Sequence, residues 1–207
     1  MPVNFRLYLI TDRRLFADDN SLFAAIEKAL KGGVEAIQLR EKDLVTRSLL
    51  RMAYSLRELT SGYGAKLFIN DRVDIAMAVD ADGVHLGGQS MPAYAARKAA
   101  GEALLIGVSA HSIGDAIKAE EEGADFITLG PIFETPSKIK YGQPLGPGLL
   151  SGARGKISIP VFAIGGIKPE RVGRIMESGA SGVAVISAIL DSADIQSNTE
   201  EFMRLLK

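Results

Sequence analysis

Short apolar segments alternate with longer amphipathic segments along the whole chain, and this alternation restricts the fold more than any other feature of the sequence. Eight apolar, β-branched segments are predicted strands, at residues 5–10, 34–40, 66–70, 83–86, 104–108, 126–130, 160–164 and 182–186. Eight amphipathic segments are predicted helices, at residues 21–31, 44–61, 73–79, 93–99, 113–122, 149–155, 169–178 and 195–206. Regular strand–helix alternation is typical of a parallel sheet whose connections are helices.

A recurrent glycine at the predicted helix ends supports one repeated unit. Gly33, Gly123 and Gly179 each follow a helical segment and precede a strand, where glycine supplies a left-handed cap. With about 26 residues for each of eight units, the 207 residues predict an α/β protein with a closed (β/α)₈ TIM barrel, a single domain over residues 1–207. A doubly wound open sheet is the alternative, but no glycine-rich fingerprint follows the first strand.

Composition excludes several classes of function. The chain has no cysteine, which rules out disulfides, thiolate catalysis and cysteine-ligated metals, and its two histidines rule out a polyhistidine metal site. With 24 basic and 25 acidic residues, no general field attracts nucleic acid or an anionic membrane, so we expect neither partner. Residues 1–10 lack a signal-peptide pattern, and no apolar stretch approaches about 18 residues, so we expect a cytoplasmic protein. A homo-oligomeric state is possible, and the sequence leaves this question open.

The ends of the predicted strands indicate where a ligand binds, because TIM-barrel active sites form at the carboxyl ends. Gln38 and Arg40 alternate onto the same inward side of strand two. An interior guanidinium needs an anion or a structural carboxylate partner, since an unpaired buried charge is costly. Lys42 and Lys138 are expected at the same rim, which favours an anion larger than a carboxylate.

Asn70 and Asp71 follow strand three directly, and two interpretations of this aspartate stay open. Asp71 can cap the helix that follows. Alternatively, its carboxylate can hold Mg²⁺ together with oxygen atoms of a substrate phosphate. We call the strand-end group Arg40, Lys42, Asn70, Asp71 and Lys138 the large-anion subsite.

A second anion site is predicted after strands seven and eight. Gly165-Gly166 follows strand seven, and Ser187 begins a short helical turn after strand eight, where free backbone N–H groups bind phosphate in this fold. We call Gly165, Gly166 and Ser187 the monophosphate subsite. Residues 131–147 carry four of the chain's eight prolines and no helical period, which predicts a mobile flap over the site.

Taken in order, the strand-end motifs resemble the thiamin phosphate synthase family, which includes the TenI-type thiazole tautomerases. The resemblance covers essentially the whole chain. The motifs that carry it are Tyr8-Leu9-Ile10-Thr11-Asp12, Gln38-Leu39-Arg40-Glu41-Lys42, Asn70-Asp71-Arg72-Val73-Asp74, Gly83-Val84-His85-Leu86-Gly87, Gly107-Val108-Ser109-Ala110-His111-Ser112, Gly130-Pro131-Ile132-Phe133, Ala163-Ile164-Gly165-Gly166-Ile167 and Val185-Ile186-Ser187-Ala188-Ile189.

The resemblance implies a barrel enzyme that joins hydroxymethylpyrimidine pyrophosphate to thiazole phosphate and releases pyrophosphate, with Mg²⁺ and through a pyrimidine cation. Its partners would be small phosphorylated heterocycles. The residues implied to bind the pyrimidine pyrophosphate are Gln38, Arg40, Lys42, Asn70, Ser109 and Lys138, and Asp71 would hold Mg²⁺. The residues implied to bind the thiazole phosphate are Thr135, Ser137, Gly165, Gly166, Ile186 and Ser187. Catalytic roles would fall to His111, Lys138 and Ser109.

Two positions depart from the family pattern. Ser90 stands where synthases usually have a second magnesium-binding aspartate, and Ser137 replaces a usual threonine. The loss of a carboxylate at position 90 favours the tautomerase, in which a histidine matching His111 moves a proton without a metal. The intact large-anion subsite favours the synthase, because a tautomerase needs no pyrophosphate subsite. A non-catalytic protein that binds thiamin intermediates is the third alternative.

Overall fold

The computed structural model describes residues 3–135 and 143–207. Eight parallel strands form a closed barrel in which each strand pairs with the next and the last pairs with the first. The strands are β1 Leu7–Ile10, β2 Ala36–Leu39, β3 Lys66–Asn70, β4 Gly83–Leu86, β5 Leu105–Ala110, β6 Phe126–Leu129, β7 Val161–Ile164 and β8 Gly182–Val185. The predicted (β/α)₈ fold and all eight strands are therefore confirmed.

The helices of the described ranges also follow the predicted order. They are α1 Asp19–Lys31, α2 Thr46–Gly62, α3 Val73–Ala78, α4 Ala93–Ala100, α5 Ile113–Glu121, α6 Gly148–Ala153, α7 Pro169–Glu177, α8 Ser187–Leu190 and α9 Ile195–Leu205. The short α8 is the helical turn predicted after strand eight. A 3₁₀ turn at Arg13–Leu15 is an additional element. No helix in the described part is long and apolar enough to span a membrane.

Strands β1 and β2 each begin two residues later than predicted, because their first backbone N–H groups bond to other partners. The Arg6 N–H donates to the Glu35 carboxylate at 2.8 Å, so β1 starts at Leu7. The Val34 N–H donates to the carbonyl of Ala29 at 3.1 Å and completes the end of α1, so β2 starts at Ala36. Side-chain and helix-end hydrogen bonds of this kind compete with the strand ladder.

Aromatic side chains fill the interior of the barrel. Five rings pack with centroids 5.0–6.4 Å apart, mostly in edge-to-face or tilted geometry, and they belong to Phe5, Tyr8, Phe68, Phe126 and Phe162. Such pairs contribute about 0.5–1.5 kcal/mol beyond their buried area. The helices cover the outer face of the barrel with a separate, larger apolar cluster.

Position 107 on β5 requires glycine, because two interior rings occupy the space that a side chain would fill. A Cβ at this position would lie 2.3 Å from Cζ of Phe126 and 2.6 Å from Nδ1 of His85. We expect Gly107→Ala to lower the free energy of unfolding by about 2 kcal/mol, the usual cost of overpacking a core. In contrast, Gly173 lies on the exposed face of α7, where an added Cβ meets nothing within 4 Å, so Gly173→Ala should raise the free energy of unfolding by about 1 kcal/mol. Urea denaturation of both variants measures the difference, and equal stabilities would contradict the packing argument.

Candidate active site at the carboxyl ends of the strands

The ends of β1 and β2 are joined by a buried carboxylate. The hydroxyl of Thr11 donates to the Glu41 carboxylate at 2.6 Å and accepts the backbone N–H of Arg40 at 3.0 Å. The N–H of Arg13 also reaches both oxygen atoms of Glu41, at 3.1 and 3.2 Å. Burial raises the pKa of Glu41, and these donors offset only part of that effect. The contacts fix the backbone from which the Arg40 side chain extends.

Gln38 and Arg40 both lie where alternation along β2 predicts. Gln38 is buried inside the barrel, and its Nε2 donates to the hydroxyl of Tyr8 at 3.0 Å. Arg40 is half-buried at the mouth and forms no salt bridge with any residue of 3–135 or 143–207. The alternative of a structural carboxylate partner is therefore wrong for the described part of the chain. A half-buried guanidinium without a carboxylate is suited to an incoming anion.

Asp71 caps no helix, so this interpretation is also wrong. Helix α3 begins at Val73, and its N-cap residue Arg72 makes no side-chain capping bond. Asp71 instead adopts a left-handed backbone with φ of 63° and accepts hydrogen bonds from Ser90 Oγ and, at 2.7 Å, from Asn70 Nδ2. Nζ of Lys42 lies 3.5 Å from its Oδ2. The structure thus brings Lys42, Asn70, Asp71 and Ser90 together.

The surroundings of Asp71 keep its carboxylate ionised. Burial raises its pKa, but the Ser90 hydroxyl, the charge of Lys42, the Gly87 amide and Asn70 together outweigh burial, so the pKa lies below its ordinary value. The Ser90 hydroxyl also accepts the Gly87 N–H at 2.7 Å. Ser90 therefore orients Asp71 rather than adding a second negative charge to the subsite.

Ser109 lies on a buried polar line that sequence analysis missed. Nε2 of His85 lies 2.9 Å from Oγ of Ser109 and 3.3 Å from Oγ1 of Thr128, and Nδ1 lies 3.4 Å from the hydroxyl of Tyr8. Burial lowers the pKa of His85 to about 3, so the ring is neutral at physiological pH. The sequence did contain a signal for this line, because Tyr8, His85 and Thr128 are polar residues at inward positions of buried strands.

His111 follows β5 at the exposed rim. Its Nδ1 lies 2.6 Å from the carbonyl oxygen of Gly130, and because a carbonyl only accepts, the neutral ring carries its proton on Nδ1. Nε2 makes no hydrogen bond within the described part of the chain. The geometry leaves this nitrogen available to accept a proton from a ligand.

The monophosphate subsite has the backbone predicted for it. Gly165 and Gly166 have φ of 96° and 64°, and a Cβ on Gly166 would lie 2.6 Å from the carbonyl oxygen of Glu134. Ser187 is the first residue of α8, directly after Ile186. Among the described residues, no hydrogen bond uses the backbone N–H groups of Gly166 or Ser187. These amides can therefore serve an oxyanion.

The segment between β6 and α6 is described only in part. The amide groups of Ile132 and Phe133 donate to the carbonyls of Ile164 and Gly165, and Leu145 donates to Pro131, at 2.9–3.0 Å. Both ends of the segment are thus attached beside the monophosphate subsite, and Thr135 lies at the end of the first described part. The predicted site residues Ser137 and Lys138 lie outside the described residues, so the flap stays a prediction.

Fold and site together define a barrel enzyme that acts at the carboxyl ends of its strands. Residues 7–189 match the thiamine monophosphate synthase family. A protein of Geobacter sulfurreducens is 52% identical over 99% of this chain and 95% of its own. Thiamine-phosphate synthases of Clostridium novyi and Chloroflexus aurantiacus are 45% and 43% identical, over 95% and 99% of this chain and 96% and 94% of theirs. The chain belongs to the thiamine monophosphate synthase family.

Solved structures agree with this result. Thiamine phosphate pyrophosphorylase from Pyrococcus furiosus has a TM-score of 0.87 and 39% identity, covering 98% of this chain and 95% of its own. A 3-hexulose-6-phosphate synthase has a TM-score of 0.77 at 20% identity, covers 98% of this chain and all of its own, and is similar in fold alone. Family membership makes the chain an enzyme of thiamin biosynthesis, in the step that forms thiamin phosphate.

Proposed function

We propose that the chain joins hydroxymethylpyrimidine pyrophosphate to thiazole phosphate at the barrel mouth and releases pyrophosphate. The observation that carries the proposal is the half-buried Arg40 guanidinium, which has no carboxylate partner in the described part of the chain and lies at the same strand ends as the Lys42–Asp71 pair. A site that binds only a monophosphate has no use for this second group of charges. Its presence favours the two-substrate reaction.

The two subsites divide the substrates. Arg40, Lys42 and Asn70 bind the pyrophosphate, with Lys138 from the undescribed segment as a further point charge, while Gln38 and Ser109 hold the pyrimidine ring. The thiazole phosphate binds on the opposite side of the mouth, to Thr135, Gly165, Gly166, Ile186 and Ser187. Ser137, which lies outside the described residues, is a further proposed contact. Holding both substrates in one mouth supplies the positioning that a bimolecular reaction needs.

The reaction breaks a carbon–oxygen bond and forms a carbon–nitrogen bond. The electron pair of the breaking bond leaves with pyrophosphate, and Arg40 and Lys42 stabilise the charge that collects on it. The methylene carbon of the pyrimidine becomes cationic, and the thiazole nitrogen donates its lone pair to that carbon. A closed site keeps water from capturing the cation.

The residues at the large-anion subsite are suited to hold Mg²⁺ through a single carboxylate. Within residues 3–135 and 143–207, no group of three or more acidic or histidine side chains is placed to hold a metal. Mg²⁺ is commonly bound by one or two carboxylates together with substrate phosphate oxygens and water. Asp71, held ionised, supplies one such carboxylate. Bound Mg²⁺ would neutralise charge on the leaving pyrophosphate.

Ser90→Asp tests whether the missing carboxylate limits metal binding. We expect it to lower the Mg²⁺ concentration that gives half-maximal rate by several-fold, because a second carboxylate would face the ion beside Asp71. Ser90→Ala, the matched control, removes only the hydroxyl that orients Asp71 and should raise that concentration. Steady-state rates across a Mg²⁺ titration give both values. An unchanged or higher requirement in Ser90→Asp would contradict one-carboxylate binding.

The proposed reaction is tested by pyrophosphate release from purified protein, both substrates and Mg²⁺. We expect release that requires both substrates and matches the amount of thiamin phosphate formed. Release from the pyrimidine pyrophosphate alone, at the same rate, would show hydrolysis and overturn the coupling. Omission of each substrate in turn is the control.

Thiazole tautomerisation is a second candidate, favoured by one observation. His111 has its proton fixed on Nδ1 and its Nε2 open at the rim, the arrangement of a general acid–base group. Aromatisation of a thiazole carboxylate phosphate, followed by ultraviolet absorbance and lost in His111→Ala, would support this activity. Such aromatisation without any coupling would replace the synthase proposal. Binding of thiazole phosphate without either activity would support the non-catalytic alternative.

A cytoplasmic location and the absence of nucleic-acid and membrane partners remain predictions from the sequence, and the oligomeric state stays open. Their physical basis is the balanced charge of the chain and the lack of an apolar segment of membrane-spanning length.

A further inference from the structure

A hydrogen-bonded line of side chains crosses the barrel interior beneath the active site. It runs from Gln38 on β2 to Tyr8 on β1, then to His85 on β4 and Ser109 on β5. Gln38, Tyr8 and His85 are at most 3% exposed, whereas Ser109 is half-buried and faces the mouth. The proposed function uses only the two ends of this line, Gln38 and Ser109, and leaves the role of its two central residues open.

The line has a direction. Gln38 Nε2 donates to the Tyr8 hydroxyl at 3.0 Å, so the hydrogen of that hydroxyl must go to its remaining partner, Nδ1 of His85, at the longer distance of 3.4 Å. A neutral imidazole that accepts at Nδ1 carries its proton on Nε2. That proton points to Oγ of Ser109 at 2.9 Å, and Thr128 donates to the same oxygen at 3.3 Å. The Ser109 oxygen already accepts twice, which leaves its own hydrogen free to donate.

The imidazole is fixed in place by its neighbours. Its ring centroid lies 5.7 Å from the rings of both Tyr8 and Phe126. Gly107 on the adjacent strand has no Cβ, and one would lie 2.6 Å from Nδ1. Buried polar groups need their partners, so reversing the ring or the proton would cost hydrogen bonds inside the barrel.

We propose that His85, supported by Tyr8, is a positioning residue that makes Ser109 a hydrogen-bond donor and leaves the Gln38 carbonyl as an acceptor. The proposal rests on the function proposed above and deepens it. The space between Gln38 and Ser109 would then bind a flat heteroaromatic ring that has an acceptor nitrogen at one edge and an amino group at another. No described residue donates to Gln38 Oε1, so an amino group of the substrate can do so. Strands β2 and β5 are separated by two strands of the barrel, which lets the two groups meet different edges of one ring.

The direction of the line is measurable without substrate, because the chain has only two histidines. In ¹⁵N-histidine-labelled protein at neutral pH, long-range ¹H–¹⁵N spectra report which ring nitrogen carries the proton. We expect opposite tautomers, with the proton on Nε2 in His85 and on Nδ1 in His111. His111→Gln removes one of the two signals and assigns them. A proton on Nδ1 of His85 would overturn the proposal whether or not the protein is a synthase.

Kinetics of variants at position 85 test the consequence for the substrate. His85→Leu removes the donor to Ser109, and we expect a roughly 10-fold rise in KM for the pyrimidine pyrophosphate, the usual effect of losing one hydrogen bond. KM for thiazole phosphate should stay within two-fold. His85→Gln, which keeps an N–H near the position of Nε2, should recover most of the loss. Equal effects on both substrates, or no recovery by glutamine, would show a merely structural role and overturn the proposal.

Tyr8→Phe keeps the ring in the aromatic cluster and removes only the hydroxyl, so it remains informative if His85→Leu does not fold. We expect it to populate both tautomers of His85 and to raise KM for the pyrimidine pyrophosphate alone. A His85 tautomer and KM unchanged from the parent would contradict the proposal. If the parent protein lacks coupling activity, the proposed function fails, whereas the tautomer measurement still decides the direction of the line.

Discussion

Arg40→Ala is expected to lower kcat/KM for the pyrimidine pyrophosphate about 100-fold, because a charge-assisted, bidentate contact to the phosphate is lost. The half-buried guanidinium has no carboxylate partner among the described residues, so its removal leaves no unpaired acid behind. We therefore expect the free energy of unfolding to change little. KM for thiazole phosphate should be unaffected. Steady-state kinetics with each substrate varied in turn gives these values.

Two further variants serve as controls for Arg40→Ala. Arg40→Lys should recover only part of the rate, since an ammonium group is a point charge without the bidentate fork. Arg14→Ala is the matched control, because Arg14 is exposed after β1 and forms a surface salt bridge with Asp12. Its kinetics should stay within two-fold of the parent. Unchanged kinetics in Arg40→Ala would contradict pyrophosphate binding at the large-anion subsite.

The second large effect concerns acid stability. The pKa of the His85 imidazole is lowered by burial from 6.5 to about 3 in the folded protein. Above pH 6.5 the ring is neutral in both folded and unfolded states. Between pH 6.5 and 3 the unfolded chain binds a proton that the folded chain does not, so stability falls as the pH falls. At pH 4.5 this one group should cost about 2–3 kcal/mol relative to pH 7.5.

His85→Gln should remove that dependence, because glutamine does not titrate. Urea denaturation at pH 7.5, 5.5 and 4.5 measures the free energy of unfolding of both proteins. We expect the parent to lose about 2–3 kcal/mol more than the variant over this range. His111→Gln serves as the control, since that ring is exposed, and it should follow the parent. Parallel losses in the parent and His85→Gln would contradict a neutral, buried His85.

The barrel itself could be predicted from the sequence because its signal is repeated along the chain. Eight apolar segments and the glycines after three helices each indicate the same unit, so one ambiguous segment cannot mislead the interpretation. The strand ends were less predictable. At Arg6 the backbone N–H bonds to a distant side chain, and at Val34 it completes the end of a helix; neither contact leaves a periodic signal in the sequence.

The site was predictable where position in the fold determines chemistry. Arg40, Asp71, Gly166 and Ser187 follow directly from the rule that ligands bind at the carboxyl ends of the strands. The partners of these residues could not be read in the same way. Asp71 was equally suited to cap a helix or to hold a metal, and only the position of helix α3, whose N-cap residue is Arg72, excludes the cap. The line through Tyr8 and His85 depends on pairing between distant strands.

The central claim is that one barrel mouth has two separate anion subsites, and a crystal structure with thiazole phosphate and pyrophosphate tests it most directly. We predict the monophosphate against the backbone amides of Gly166 and Ser187, and the pyrophosphate against Arg40 and Lys42. A phosphate group bound away from Gly166 and Ser187, or a pyrophosphate that leaves Arg40 without contact, would contradict the account.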